Sequence, residues 1–134
     1  MRVISTVLPV APALLLLTGC SVPEDRIRAV SSTAVAFSAR VQAHDPAGAC
    51  ELLAPQTREE LAQDPGPTCA DGLEDAAPPD GGEVRSTQVY GHRARVVLDQ
   101  DTYFLTSFPD GWKISAAGCT PRPGRPYRCQ VKGD

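Results

Sequence analysis

The sequence predicts an α+β fold in which N-terminal helices pack on a curved antiparallel sheet of about four strands. Apolar residues recur at helical spacing in the first half of the chain, whereas apolar and polar residues alternate in the second half. Helices followed by a run of strands are typical of this class. The length of 134 residues leaves room for one domain, which we expect at residues 25–134, after a leader at residues 1–19 and a short tether at residues 20–24.

The leader has the pattern of a secretion signal. Arg2 precedes an apolar stretch at residues 3–17, which is shorter than the roughly 20 residues that a membrane-spanning helix needs. The stretch ends in a sequence that resembles the lipobox of bacterial lipoproteins, Leu17-Thr18-Gly19-Cys20. We therefore expect lipidation of Cys20 and a protein anchored on the extracytoplasmic face of the cell membrane. The alternative is an ordinary signal peptide, or a buried helix, that happens to contain a cysteine.

A long amphipathic helix is expected at residues 25–43. Its apolar residues recur at spacings of three and four, which places them on one face of about five helical turns: Ile27, Val30, Ala34, Phe37 and Val41.

Three shorter helical pieces should follow. Asp45 and Pro46 have the pattern of an N-cap and a first helical residue, and Pro55 is expected to end this second helix. The remaining two pieces lie at residues 57–63 and 69–76, separated by the break Asp64-Pro65-Gly66-Pro67.

Strands are expected after Gly82, where the period of the pattern becomes two. The first three cover residues 83–90, 92–99 and 102–108, and the last carries Trp112, Ile114 and Ala116 on one face. That face should turn inward, so Trp112 should be largely buried. The prolines of residues 121–126 predict an irregular loop.

The third strand is apolar on both faces, with Phe104 and Phe108 on one and Tyr103 and Leu105 on the other. A half-exposed antiparallel strand normally alternates. Either a loop and the proline-rich tail cover the second face, which we favour, or its aromatic residues line a pocket or a partner surface.

Four cysteines remain after Cys20, an even number that suits disulfides outside the cytoplasm. We favour the pairs Cys50–Cys69 and Cys119–Cys129, because each pair brackets its own local segment. A crossed pairing or a free thiol is the alternative. A zinc site that adds the two histidines is disfavoured, because no CxxC, HExxH or close histidine pair exists; no metal or other cofactor is expected.

Several segments look like small actinobacterial lipoproteins of unknown function, which are similar to NTF2-like (cystatin-like α+β cone) proteins. The segments are residues 45–55, 108–113, 116–121 and 126–129. The resemblance covers most of the mature chain and implies a long helix packed into a curved sheet. Its motifs are a helix cap, a turn and cysteine pairs, so it transfers no catalytic or cofactor-binding residue.

The net formal charge of −3 gives no basic footprint, so a nucleic-acid partner is not expected. The charge is unevenly distributed: residues 45–83 hold ten acidic residues and one arginine, whereas residues 84–134 hold eight basic and four acidic ones. The simplest interpretation is a solvated acidic helical lobe beside a basic sheet. A functional interpretation is steering of a basic protein or a cationic ligand.

Few residues suggest catalysis. His44 is expected beside a helix C-terminus, where an imidazolium complements the dipole, and His92 on the surface. No GxSxG, P-loop or GxGxxG pattern occurs. Some cone-fold relatives are isomerases that use an acid and a tyrosine in the cavity; such a site here would combine residues among Asp45, Asp99, Tyr90 and Tyr103.

The sequence therefore favours a lipid-anchored binding or protein-interaction module of the cell envelope, with an envelope protein or a small ligand as its partner. A small enzyme of the isomerase or dehydratase type, using the cone cavity, is the second hypothesis. A purely structural envelope component is the third. An open cavity would favour an enzyme or small-ligand binding, and a filled one would favour a protein partner.

Overall fold

The computed structural model describes Val3, Ile4, Gly19 and residues 21–63 and 68–133. Cys20, the rest of the expected leader and the expected break at residues 64–67 lie outside the described residues. Four helices precede five strands within the described part: α1 (Glu24–Gln42), α2 (Pro46–Glu51), α3 (Pro55–Leu61), α4 (Cys69–Ala76), β1 (Val84–Tyr90), β2 (Arg93–Leu98), β3 (Thr102–Phe108), β4 (Gly111–Arg122) and β5 (Arg125–Lys132). The chain is α+β as predicted, but its sheet has five strands rather than about four.

Helix α1 packs its predicted apolar face on the sheet. Val30, Ala34 and Phe37 are completely buried, whereas Ile27 and Val41, nearer the two helix ends, are partly buried. The helix contacts β1, β2 and β4, so it crosses one face of the sheet. The interior between helix and sheet is filled by side chains, above all Phe37 and Tyr103, whose rings meet edge to face at 5.2 Å between centroids.

Pro55 does not end the second helix, contrary to the prediction; it is the first residue of α3. Helix α2 stops at Glu51 because the following residues pair with β4 instead. The Ala54 N–H donates to the Ile114 carbonyl (2.7 Å), and the Ile114 N–H donates to the Leu52 carbonyl (2.8 Å). This short parallel bridge covers the edge of β4 that β5 leaves open.

The short helices are held together by a disulfide and a close contact. Cys50 of α2 is bonded to Cys69 of α4, with 6.3 Å between their Cα atoms. A Cβ at Gly72 would lie 2.1 Å from the Leu61 carbonyl oxygen, so only glycine allows α4 to approach α3 this closely.

The five strands form an antiparallel meander in the order β1-β2-β3-β4-β5. Successive turns therefore alternate between the two ends of the sheet. The β1–β2 and β3–β4 turns lie at one end, and the β2–β3 and β4–β5 turns lie at the other.

A β-bulge changes which face the residues of β4 occupy. Ile114 pairs with Leu105 but Ala116 pairs with Phe104, which leaves Ser115 as the extra residue. Ile114 and Ala117 are completely buried, whereas Ala116 turns to the other face, so its predicted grouping with Ile114 is wrong. Trp112 packs against the edge of the core with most of its surface buried, in line with the prediction, although part of it stays exposed.

The proline-rich segment at residues 121–126 is not an irregular loop but the tip of the β4–β5 hairpin. Pro123 and Gly124 form its turn, with Gly124 in the left-handed conformation (φ 65°) that glycine adopts most easily. Cys119 lies directly opposite Cys129 in this ladder, and the two are disulfide-bonded with Cα atoms 4.0 Å apart. Both disulfides join the cysteines that were predicted to pair.

A buried carboxylate fastens β4 to the β2–β3 turn. Asp101 accepts hydrogen bonds from the backbone N–H groups of Thr102 (2.7 Å), Gly118 (2.8 Å) and Cys119 (2.9 Å). Burial raises the pKa of Asp101 above its ordinary value, although these three hydrogen bonds oppose the rise.

Candidate functional site

A cleft of about 350 Å³ opens where the end of α1 meets the start of α2 and the end of α4. Its apolar lining consists of Val41, Pro46, Ala49, Leu73, Ala77 and Pro78. Its polar lining consists of Gln42, His44, Asp45, Glu74 and Asp80. We call it the acidic cleft, because three carboxylates line it and no lysine or arginine does so in the described part of the chain.

Asp45 builds the cleft as the predicted N-cap of α2. Its carboxylate accepts a hydrogen bond from the Gly48 N–H (3.0 Å) and forms an ion pair with Arg40 (2.9 Å). The Gly48 hydrogen bond and, to a smaller extent, Arg40 lower the pKa of Asp45. Both carboxylate oxygens are therefore occupied, and this residue positions the start of α2 rather than offering a free charge.

Two helix ends shape the rim. His44 (φ 53°) and Ala77 (φ 46°) are the two non-glycine residues with positive φ among residues 21–63 and 68–133, and both line the cleft. The Ala77 N–H donates to the Leu73 carbonyl (3.0 Å), and the His44 N–H donates to that of Val41 (3.1 Å). Left-handed backbone costs about 1–3 kcal/mol at such residues, so the packed helices must hold the rim in place.

Glu74 and Asp80 are the carboxylates that remain for a ligand. Glu74 is exposed on α4 and forms no ion pair with any residue the structure describes. Asp80 is half-buried, and its Oδ1 accepts from the Ser38 hydroxyl (3.4 Å) and the Gly82 N–H (3.3 Å). The cleft thus combines an apolar floor with negative charge, the lining that a cationic group attached to an apolar stem requires.

Tyr103 lies behind the cleft but does not open into it. Its side chain is completely buried, and its hydroxyl makes no hydrogen bond of normal geometry with a described residue. Gly81 covers the hydroxyl so closely that a Cβ there would lie 2.7 Å from the oxygen. Burial raises the pKa of Tyr103 well above its ordinary value, which keeps the phenol neutral.

The structure does not bring the suggested acid and tyrosine together in an open cavity. Asp99 pairs with Arg85 and accepts from the Glu83 N–H on the surface. Tyr90 is 52% exposed at the end of β1, whereas Tyr103 is enclosed. Asp45, the other carboxylate considered, is already occupied as the N-cap of α2.

The two histidines also lie apart. His44 is exposed two residues after the last residue of α1, at the cleft. His92 is exposed in the β1–β2 turn, where its carbonyl accepts from the Ser107 N–H (2.8 Å).

The second apolar face of β3 is partly covered by strand β5, which belongs to the proline-rich C-terminal segment. Tyr103 and Leu105 face the core, whereas Phe104 and Phe108 lie on the outer face and are half-buried. The ring of Tyr127 in β5 packs edge to face on Phe104, with 5.1 Å between centroids. Coverage by the proline-rich tail, the interpretation that we favour, therefore explains Phe104.

A wider depression of about 610 Å³ lies on the outer side, between α3 and the sheet. Phe108 and Thr57 line it together with one acidic residue, Glu59, and one basic residue, Arg93. Because these two charges balance, the depression would select a ligand by charge less strongly than the acidic cleft would.

No motif in the sequence singles out Glu74 or Asp80. Both belong to the acidic stretch at residues 45–83, and that excess of charge was the only signal for them. Their convergence depends on how α4 and the following loop pack beside α1, which no local pattern encodes.

Within residues 21–63 and 68–133, with Val3, Ile4 and Gly19, no group of three or more His, Cys, Asp or Glu side chains could hold a metal ion. The same part of the chain contains no helix that is long and apolar enough to span a membrane. No protein-family model matches the chain, and no curated protein or solved structure is significantly similar to it.

Proposed function

We propose that this chain is a lipid-anchored, extracytoplasmic interaction module that binds a basic side chain of an envelope protein in the acidic cleft. The observation that carries the proposal is the cleft itself, in which Glu74 and Asp80 stand beside an apolar floor, and no described lysine or arginine lines the cleft; Arg40 lies nearby but is paired with Asp45. A lysine or arginine side chain has the matching form, an apolar stem with a charged end.

The filled interior supports a protein partner over an enzymatic function. In the NTF2-like cone that the sequence resembles, an enzyme would need an open cavity with an acid and a tyrosine. Here Phe37 and Tyr103 fill the space between α1 and the sheet, and both are completely buried. The cone remains part of this proposal, supported by a long helix packed on one face of an antiparallel meander.

The anchor rests on the lipobox-like sequence before Cys20. The two disulfides support an extracytoplasmic location, because such bonds persist in oxidising compartments. Intact-mass analysis of membrane-extracted protein should find a chain that begins at Cys20 and carries a diacylglyceryl group. An unmodified Cys20 in the mature protein would refute the anchor.

Capped lysine and arginine tripeptides are suitable probes for the cleft, with a capped glutamate tripeptide as the control of opposite charge. Titrations followed by ¹⁵N NMR should shift the amide signals of residues 41–49 and 73–80 with the basic probes and not with the acidic one. Substituting Glu74→Gln and Asp80→Asn together should weaken binding by about twofold to thirtyfold, because exposed charge pairs contribute roughly 0.2–1 kcal/mol each.

A matched control separates this effect from a general change in net charge. Substituting Glu59→Gln and Glu60→Gln removes the same two charges from α3, away from the acidic cleft. Equal weakening by both double variants, or equal binding of the acidic and basic probes, contradicts the proposed site.

A further inference from the structure

The acidic cleft and the anchor lie at opposite ends of the domain. Only residues 21–23 separate Cys20 from the start of α1, so the linkage from Cys20 to Glu24 spans at most about 14 Å. The 19 residues of α1 extend about 28 Å, and the cleft begins at its far end, at Val41.

The sheet places two of its turns beside the anchored end of α1. The Arg26 guanidinium donates to the Gly91 carbonyl in the β1–β2 turn, and it lies 5.4 Å from the centre of the Trp112 ring. Trp112 follows the β3–β4 turn by a single residue. The first turn of α1 and these two hairpin turns therefore form one end of the domain, which we call the anchor end.

A second, independent observation places the cleft at the opposite end of the domain. The Gln100 N–H in the β2–β3 turn donates to the Gly81 carbonyl (2.9 Å), and the Asp99 N–H donates to the Glu83 carbonyl (2.9 Å). Asp80, which lines the cleft, directly precedes this contact. The β2–β3 and β1–β2 turns lie at opposite ends of a meander. The sheet topology therefore separates the cleft from the anchor end, as the length of α1 also does.

From this geometry we infer that the anchor end rests on the lipid headgroups and that the acidic cleft faces away from the membrane. The inference rests on the proposed lipidation of Cys20 and adds the surface that contacts the bilayer. Val22 is 38% exposed and Tyr90 is 52% exposed, and both lie at this end. Tyrosine is enriched where protein meets the membrane–water interface.

Trp112 is the single tryptophan of the chain and reports directly on the anchor end. The mature lipidated protein is reconstituted into phosphatidylcholine vesicles that contain increasing amounts of a lipid with a nitroxide on its headgroup. We expect a loss of Trp112 fluorescence that grows with the nitroxide content. The comparison variant carries Gln42→Trp and Trp112→Phe, which moves the reporter to the cleft, and its fluorescence should remain unchanged.

Hydrogen exchange of the unsubstituted protein provides a second measurement if that variant fails to fold. Binding to vesicles should slow exchange at residues 90–93 and 109–113 and leave residues 41–49 unchanged. The orientation is overturned if acylated protein shows fluorescence quenching or slowed exchange at the cleft, or shows neither effect at the anchor end. Either result leaves the proposed binding function intact. An unacylated Cys20, measured by intact mass on the same sample, refutes the anchor and the orientation with it.

Discussion

Replacing Asp101 with alanine removes the acceptor for three backbone N–H groups in the interior. Two of them belong to Gly118 and Cys119 in β4, at distances of 2.8 and 2.9 Å. A buried polar group that loses its partner costs about 1–3 kcal/mol. The loss is offset in part because the variant no longer buries a carboxylate. We therefore expect Asp101→Ala to lower the free energy of unfolding by about 2–4 kcal/mol, a large share of the stability of a domain this small.

Asparagine and a neighbouring aspartate give the matched comparisons. Asp101→Asn keeps one acceptor oxygen but turns an amide NH₂ toward a backbone N–H, so its cost should be about 1–3 kcal/mol. Asp99→Asn alters the adjacent turn, where the carboxylate pairs with Arg85 and accepts from the Glu83 N–H. An exposed ion pair contributes at most about 1 kcal/mol, and the asparagine oxygen can still accept from the Glu83 N–H.

Urea unfolding with both disulfides intact, followed by Trp112 fluorescence and far-UV circular dichroism, measures all three variants. The midpoints should shift at an unchanged dependence on urea concentration. The interpretation is refuted if Asp101→Ala stays within about 0.5 kcal/mol of the parent protein or if Asp99→Asn is equally costly.

Three further results are expected. Phe37→Ala should cost about 3–5 kcal/mol by the same urea assay, because the ring is completely buried. Trp112→Ala should cost less, about 1–2 kcal/mol, because its side chain packs at the edge of the core and is only partly buried; equal costs would contradict this. The folded-state pKa of Asp45 is lowered, so the unfolded chain binds the proton first as the pH falls. Stability should therefore decrease as the pH drops below about 4, and Asp45→Asn should flatten this part of the stability profile if the assignment is correct. Replacing Cys119 and Cys129 with serine should lower the free energy of unfolding by about 2–3 kcal/mol and speed hydrogen exchange at residues 119–129. Peptide mapping of the parent protein that finds Cys50 linked to either residue would refute the pairing.

Patterns within a few residues were enough to predict the helical part of the fold. The apolar face of α1 follows from its spacing alone, and its central residues Val30, Ala34 and Phe37 are buried as expected. The N-cap of α2 follows from the order of Asp45 and Pro46. The two disulfides bracket local segments, so their pairing required little knowledge of the fold.

The sheet was predicted less completely, because prolines in the sequence concealed its last strand. Pro121 and Pro126 suggested a loop, yet both lie in strands of the β4–β5 hairpin. Pro121 lies at the register shift between Thr120 and Arg122, and Pro126 lies in the edge strand β5; proline is tolerated at both kinds of position. The same local reasoning assigned Pro55 to the end of a helix that it does not end, since proline also suits a first helical residue.

Taken alone, the sequence determined the α+β class, the helices followed by the first four strands, and the local cysteine pairs, because each depends on neighbours along the chain. Tertiary structure alone decided the bulge at Ser115, the enclosure of Tyr103 and the meeting of Glu74 with Asp80 at one cleft. It also decided that Asp101 would hold β4, since the donors lie 17 and 18 residues away. Backbone N–H groups occur at every residue except proline, so only the packed fold selects which of them a buried carboxylate meets.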